Sequence, residues 1–414
     1  MSSSDLKHAD ISGIDWMISY ISWRSRMLPS GGNHFSIVAQ VADTFDFDKF
    51  SEKVFSLKHI KSFLSGRIKR QFPCWIPRWY YSHSAENGIV CRLVSEDREP
   101  ELNNELPPGT SVEIVYFLQK KKLLCTFSHA VFDGVGAEKF ILFLLSADTL
   151  DQQIERSIAA DIPKMKQSGK ELRELMEKIP EKKIFRLPPV SRRRKNEFRR
   201  ISLAPEEYEE LLAAVEKKYG PFSFSLYILS LILCKLEKTL FLADKVAEYV
   251  FVPMSVDLRS ARQEENDMFF NHWSLMPLLV SRKVLTGGIP DTFQHLRKLY
   301  IQALSSRTAQ LFFDGAEAMK YIPYFCIDTL VRFQPGKTLG TFMFSFLNSP
   351  TDSGEKLSNL AHYPAMPHGN NLGFFANVYN GHFNLVISRR PWLNDEGFEN
   401  FVLEIEQELR GKMI

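Results

Sequence analysis

Leu123-Leu124-Cys125-Thr126-Phe127-Ser128-His129-Ala130-Val131-Phe132-Asp133-Gly134 is an apolar run that ends on a histidine, with an aspartate and a glycine four and five positions further on. Residues 123–127 read as a buried strand, joined by the charged turn Lys120-Lys121-Lys122 to a second strand over 112–118. Residues 136–147 read as a helix that buries Phe140, Ile141, Phe143, Leu144 and Leu145. His129 therefore falls on a strand-to-helix turn, where a rigid scaffold presents a side chain. An imidazole titrates near neutrality and can take a proton from an alcohol, amine or thiol as it attacks a carbonyl. Such acyl transfer also needs a donor for the developing oxyanion. Gly134 lets the chain turn sharply or lets a substrate come close. The pattern fixes only three positions in six, and its bland reading is a hydrogen-bonded polar residue at a strand end. A metal centre would need a third ligand such as His272, His362 or His368, none of which is spaced for it, so no metal site is read here.

The chain around this turn has 414 residues, enough for two lobes. With 44% hydrophobic and 24% charged residues it is an ordinary globular composition. Its 33 Phe imply large apolar surfaces, in the core or along a tunnel. A net charge of +3 is too small to argue for nucleic acid. The five cysteines, Cys74, Cys91, Cys125, Cys234 and Cys326, are scattered without a CxxC pair, which points to a reducing, cytoplasmic setting. Met1-Ser2-Ser3-Ser4-Asp5 has no secretory pattern. The longest apolar run, 221–234, is closed by Lys235. It is too short to span a bilayer and reads as a buried helix, so no transmembrane segment is expected.

Outward from the histidine, 35–41 reads as a strand and 46–64 as one helix with Phe50, Val54, Phe55 and Leu57 on its apolar face. Residues 164–178 read as a polar surface helix. Residues 184–200 hold Pro188-Pro189 and the run Arg192-Arg193-Arg194-Lys195, as a solvated linker would. This divides the chain into a first lobe over 1–180, a linker over 181–200 and a second lobe over 201–414. The basic stretch 192–200 is either that solvated crossover or a grip for a nucleotide phosphate or an acidic carrier protein. The second lobe begins with a helix over 205–219, with Pro205 in its first turn and Gly220 as its cap. Then follow an apolar helix over 222–242, a central strand over 246–256, an amphipathic helix over 292–304 and a strand over 341–347. Asn380-Gly381 marks a two-residue hairpin between 372–379 and 382–388, and a helix over 395–409 closes the chain. Strands and helices alternate irregularly, so a mixed α/β (α+β) architecture is expected.

Ser128-His129-Ala130-Val131-Phe132-Asp133-Gly134 resembles the His-His-x-x-x-Asp-Gly signature of condensation domains, wax-ester synthases and alcohol acetyltransferases. Three later stretches are similar to that superfamily in the same order. They are Pro253-Met254-Ser255-Val256-Asp257-Leu258-Arg259, Asn271 with Pro277-Leu278, and Ser345-Phe346-Leu347-Asn348-Ser349-Pro350. The resemblance spans about residues 11 to 409. Ser128 stands where many condensation domains carry their first histidine, which leans toward a stand-alone acyltransferase.

The resemblance implies two chloramphenicol-acetyltransferase-like lobes, each a mixed sheet flanked by helices, with a tunnel between them. It implies transfer of an acyl group from acyl-CoA or a carrier-protein thioester to a hydroxyl or amine, with His129 as general base. Asp133 would pair with Arg259 and, with Gly134, support the loop. Asn271, Ser345 and Asn348 are candidates for oxyanion, tunnel or substrate contacts, or else for strand caps and bridges. Trp273, Phe269 and Phe270 line an acyl pocket or simply pack the core. The co-substrate would be the thioester itself, with no tightly bound cofactor. An acyl carrier protein would come in trans, and one chain would hold a complete site as a monomer. The alternative is a non-catalytic member of the same fold that binds acyl or pantetheine groups as a docking partner.

Overall fold

The computed structural model describes residues 6–26, 33–70, 76–82, 87–102, 105–146, 148, 154–158, 161–180, 183–187, 196–241, 246–262, 264, 267–327, 340–348, 356–364, 366, 371–390 and 395–411. Among these, the strands in the first part of the chain are β1 (Leu6–Asp10), β2 (His34–Val41), β3 (Arg67–Arg70), β4 (Pro77–Ser82), β5 (Ile89–Val94), β6 (Val112–Phe117) and β7 (Lys122–Ser128). Those in the second are β8 (Glu197–Leu203), β9 (Tyr249–Asp257), β10 (Trp273–Ser281), β11 (Met343–Asn348), β12 (Leu357–Tyr363), β13 (Leu372–Tyr379) and β14 (His382–Arg389).

Two mixed sheets form the two lobes. The first is ordered β12-β2-β7-β6-β5 and is antiparallel except between β5 and β6. The second is ordered β10-β9-β11-β13-β14-β8, with β11 parallel to both of its neighbours. A small antiparallel sheet, β1-β4-β3, sits beside the first. β12 follows β11 in sequence yet completes the first lobe's sheet, so the chain returns across the junction near its end.

Each lobe has its own core. The helix Phe224–Leu236 is apolar on every side, and all of its residues but Ser225 are buried, as such a helix requires. Its one cation, Lys235, stays close to Glu404 and Glu408 of the closing helix Asp395–Leu409. Among the described residues, no single helix is long and apolar enough to cross a membrane. In the first lobe, Phe127 meets Phe132 and Phe140 edge to face beneath the His129 turn, and those two rings lie tilted against each other.

Two expectations are corrected. Residues 46–64 form two helices, Phe47–Ser56 and Lys58–Leu64. Leu57 is buried and takes a non-helical conformation between them, and the bend turns Ile60, Phe63 and Leu64 into the core. The end of the supposed linker is β8, an edge strand, where Arg199 meets Glu399 and Arg200 meets Asn384. Charged side chains on an edge strand block pairing with another chain, which is why they mimicked a solvated crossover. Pro188-Pro189 and Arg192 to Lys195 lie outside the described residues.

The hairpin between β13 and β14 forms as its turn residues direct. Asn380 and Gly381 both have positive φ, 46° and 74°. A Cβ on Gly381 would also stand 3.1 Å from Pro205. Gly381→Ala is therefore expected to destabilise the protein by about 1 kcal/mol or more. A lower urea midpoint with an unchanged slope is the expected result, and an unchanged midpoint would contradict it.

Candidate active site

The His129 turn is closed by hydrogen bonds from its own backbone. Val131 and Phe132 both donate to the Ser128 carbonyl at 3.1 Å, and the His129 amide reaches the Asn33 carbonyl at 3.3 Å. The helix Gly134–Leu145 begins immediately after, with Asp133 as its N-cap. Asp133 Oδ1 accepts from Gly136 N at 2.8 Å, as a capping carboxylate does. Gly136 has no room for a side chain: a Cβ there would lie 2.3 Å from the Met268 carbonyl.

The second lobe reaches into this turn through the segment between β9 and β10. Phe270 N donates to the Val131 carbonyl, and Phe132 and Phe270 form an isolated bridge. Phe270 has a φ of 67°, rare for a bulky residue, and is held there by its buried ring, 5.6 Å from that of Phe63. The strained residue delivers the next two, Asn271 and His272, to the back of the turn.

Asp133 and Arg259 meet at 2.8 Å with both side chains buried. Arg259 also binds Asp257 at 2.9 Å and the Asp267 carbonyl at 2.9 Å. Asp133 Oδ2 accepts from His272 N at 2.8 Å. Burial alone would raise the Asp133 carboxyl. The Arg259 charge and hydrogen bond, with the amides of His272 and Gly136, outweigh it and hold the group below the ordinary range.

His129 is half-buried, its ring edge-on to Phe35 at 5.3 Å and 6.2 Å from that of Trp273. Its Nδ1 lies 3.1 Å from Asn271 Oδ1. That oxygen also accepts from Trp273 Nε1, which is only a donor, at 3.2 Å. Asn271 Nδ2 faces two acceptors, the His129 carbonyl at 3.0 Å and Asp15 Oδ1 at 3.0 Å. The amide therefore has one consistent orientation, and His129 Nδ1 must donate to it. Nε2 is left with a free lone pair. Burial pushes the imidazole below its ordinary value; its own carbonyl, the Asp133 charge, Asn271 and the Phe132 backbone oppose this without reversing it.

Of the other candidates, Ser345 and Leu347 share one face of β11, since strand side chains alternate, and Leu347 Cδ1 approaches to 3.2 Å of where a Gly134 Cβ would be. Ser345 is buried on that face; Asn348 is exposed and points to the other. Phe269 and Phe270 pack in the first lobe's core. His272 is buried, with Nδ1 2.8 Å from Glu264 and Nε2 3.1 Å from the Phe269 carbonyl. Glu264, Asp267 and His272 bring ligand-type atoms within 4.8 Å of one another, but both His272 nitrogens already face acceptors. His362 stands 3.4 Å from Glu138, both buried, and against Gly134. His368 lies outside the described residues.

Two neighbours of the site were not legible beforehand. Asp15 sits in Ser12-Gly13-Ile14-Asp15, whose visible signal is a capping box, and it does cap: Ser12 N donates to Asp15 Oδ2 and Asp15 N to Ser12 Oγ. Glu138 looks like any helix residue, and nothing local says that it faces β12.

No protein-family model matches the chain, and no curated protein matches it. Solved structures do. A trichothecene 15-O-acetyltransferase from Fusarium sporotrichioides superposes with a TM-score of 0.69 at 13% identity, over 99% of this chain and 96% of that one. The first condensation domain of the CDA synthetase gives 0.64 at 12%, over 98% and 95%. The starter condensation domain of rhizomide synthetase, in complex with C8-CoA and Leu-SNAC, gives 0.63 at 10%, over 98% and 94%. Such neighbours are of the chloramphenicol-acetyltransferase-like condensation-domain superfamily, and this chain has their two-lobed fold.

Proposed function

We propose that the chain is an acyltransferase that moves an acyl group from a thioester, acyl-CoA or an acyl carrier protein, to a hydroxyl or amine in a tunnel between the lobes. The observation that carries this reading is the bare Nε2 of a neutral, half-buried His129 on a turn that both lobes hold. Acyl transfer on the same fold in the trichothecene enzyme, and C8-CoA in the rhizomide domain, support the reaction class and the donor.

In this reading Nε2 takes the acceptor's proton as its oxygen or nitrogen attacks the thioester carbonyl. The tetrahedral oxyanion meets the N–H groups of Gly134 and Val135. These open the helix and have no partner among the described residues. Collapse breaks the C–S bond, and the imidazolium returns its proton to the leaving thiolate. Ser345, on the β11 face toward Gly134, is a second oxyanion donor or a contact for the pantetheine arm. Asn348 would contact substrate only from the outer end of that strand. The site lies within one chain, so a monomer suffices. The thioester is the co-substrate, and no resident cofactor enters this reading. The enzyme would work in the cytoplasm, where both kinds of thioester donor are made.

Thiol release from acyl-CoA with pooled alcohols and amines tests the reading. Because burial holds His129 below its ordinary 6.5, kcat/KM should stay level through neutrality and fall only at a pH below that value, as the imidazole gains a proton and loses its lone pair. No thiol release with any donor and acceptor, or an acid limb above 6.5, would sink it.

A further inference from the structure

Asp15 is wholly buried, and five donors converge on its two oxygens. Oδ2 accepts from Ser12 N, Ser12 Oγ and Arg156 Nη1, each at 2.8 Å. Oδ1 accepts from Asn271 N at 2.8 Å and Asn271 Nδ2 at 3.0 Å. The Arg156 guanidinium in turn lies 4.7 Å over the Phe270 ring, beside the strained residue that places Asn271.

A carboxylate without a proton offers acceptors only. It therefore fixes which end of the Asn271 amide faces it: the NH2. That sends Asn271 Oδ1 toward His129 Nδ1, which must then carry the proton. We propose that Asp15 is the positioning residue that sets the His129 tautomer, acting through Asn271 and leaving Nε2 free to accept a proton. Asp15 touches neither His129 nor any reacting atom; it works one amide away. The proposal rests on the reading of His129 as the base, but it concerns a hydrogen position that exists without turnover.

Trp273 Nε1, through its 3.2 Å bond, and the His129 carbonyl, which accepts from Asn271 Nδ2 at 3.0 Å, also favour this orientation. Asp15 holds both the backbone and the side-chain nitrogen of Asn271 and is anchored by Arg156, so it dominates. Asp15→Asn puts a donor among five donors. The side-chain part of the mismatch on the Oδ1 side is relieved when the Asn271 amide rotates by half a turn, at the cost of its bond to the His129 carbonyl, and its NH2 then faces His129 Nδ1. The proton moves to Nε2, and the base is lost. In a serine-protease triad the wrong histidine tautomer costs roughly 10⁴ in rate. One amide further away, and with Trp273 and the His129 carbonyl resisting, a loss of roughly 10 to 10³ in kcat is expected, with KM for both substrates within about twofold.

The test is nitrogen NMR of histidine-labelled protein at a pH of about 8, where an imidazole is neutral. The His129 signals are assigned by their loss in His129→Gln. The wild type should show a protonated Nδ1 and a bare Nε2, Asp15→Asn the reverse, and Trp273→Phe the wild-type pattern. A wild type protonated on Nε2 overturns the proposal even if Asp15→Asn fails to fold. So does Asp15→Asn with the wild-type pattern, or reversal in Trp273→Phe. A wild type that releases no thiol defeats the functional reading instead, and the ring signals then decide the tautomer alone.

Discussion

His129→Ala is expected to lower kcat/KM for acyl transfer by roughly 10² to 10⁴, the usual worth of a positioned general base, while leaving the fold intact. The structure separates these two effects. His129 is only half-buried, and the bonds that close its turn come from backbone atoms of Ser128, Val131 and Phe132, which alanine retains. Asn271 keeps Asp15 and Trp273 as partners. The melting temperature should therefore stay close to the wild type, and binding of acyl-CoA, measured by calorimetry, should persist. That combination, binding without turnover, also distinguishes the enzyme from a docking protein of the same fold, in which the substitution would change neither. Full turnover by His129→Ala would remove His129 from the chemistry.

Local pattern carried most of the fold. The helix Pro205–Tyr219 lies where Pro205 and Gly220 put it, and β13, β14 and the closing helix Asp395–Leu409 follow from a turn dipeptide and two periodicities. Strands β1, β3, β4 and β5 were not legible. They are short, and β3 is largely polar: Arg67-Ile68-Lys69-Arg70 has one apolar residue in four and becomes a strand only by pairing with β4. β12 was missed for a related reason, since its partner β2 lies more than 300 residues earlier.

The site divides along the same line. His129, Asp133, Gly134 and Arg259 lie in two short motifs, and the structure joins those motifs by a 2.8 Å ion pair. The layer behind them is long-range. Asp15 meets Asn271 across 256 positions, and His362 meets Glu138 across more than 200. In each case the local sequence offers a sufficient other reason for the residue: a helix cap, a strand residue, a helix surface. Tertiary contact reassigns it, and no window along the chain contains both partners.

Arg259→Ala is expected to destabilise the protein by about 3–5 kcal/mol, the cost of leaving a buried carboxylate without its cation. Asp133 would keep the amides of Gly136 and His272 but lose the guanidinium that offsets its burial. The Asp257 carboxylate and the Asp267 carbonyl would lose a donor as well. The pH dependence gives the origin of the effect. In the wild type the Asp133 carboxyl lies below its ordinary 3.8, so its contribution is present above that value and is lost as pH falls through the lower, folded value. In the variant, only the two amides still oppose burial, so the same carboxyl rises, acid protonates it and the penalty is relieved. The gap between the two proteins, read from urea unfolding, should therefore narrow on acidification. Asp133→Asn placed on Arg259→Ala should recover part of the loss, because the uncompensated charge is gone. A gap that stays below about 1 kcal/mol at neutral pH, or that widens in acid, would contradict the ion pair as the clamp. The clamp must be rigid because the same carboxylate that binds Arg259 caps the helix opening at Gly134, so any slack in it moves the N–H groups of Gly134 and Val135 and His129 together.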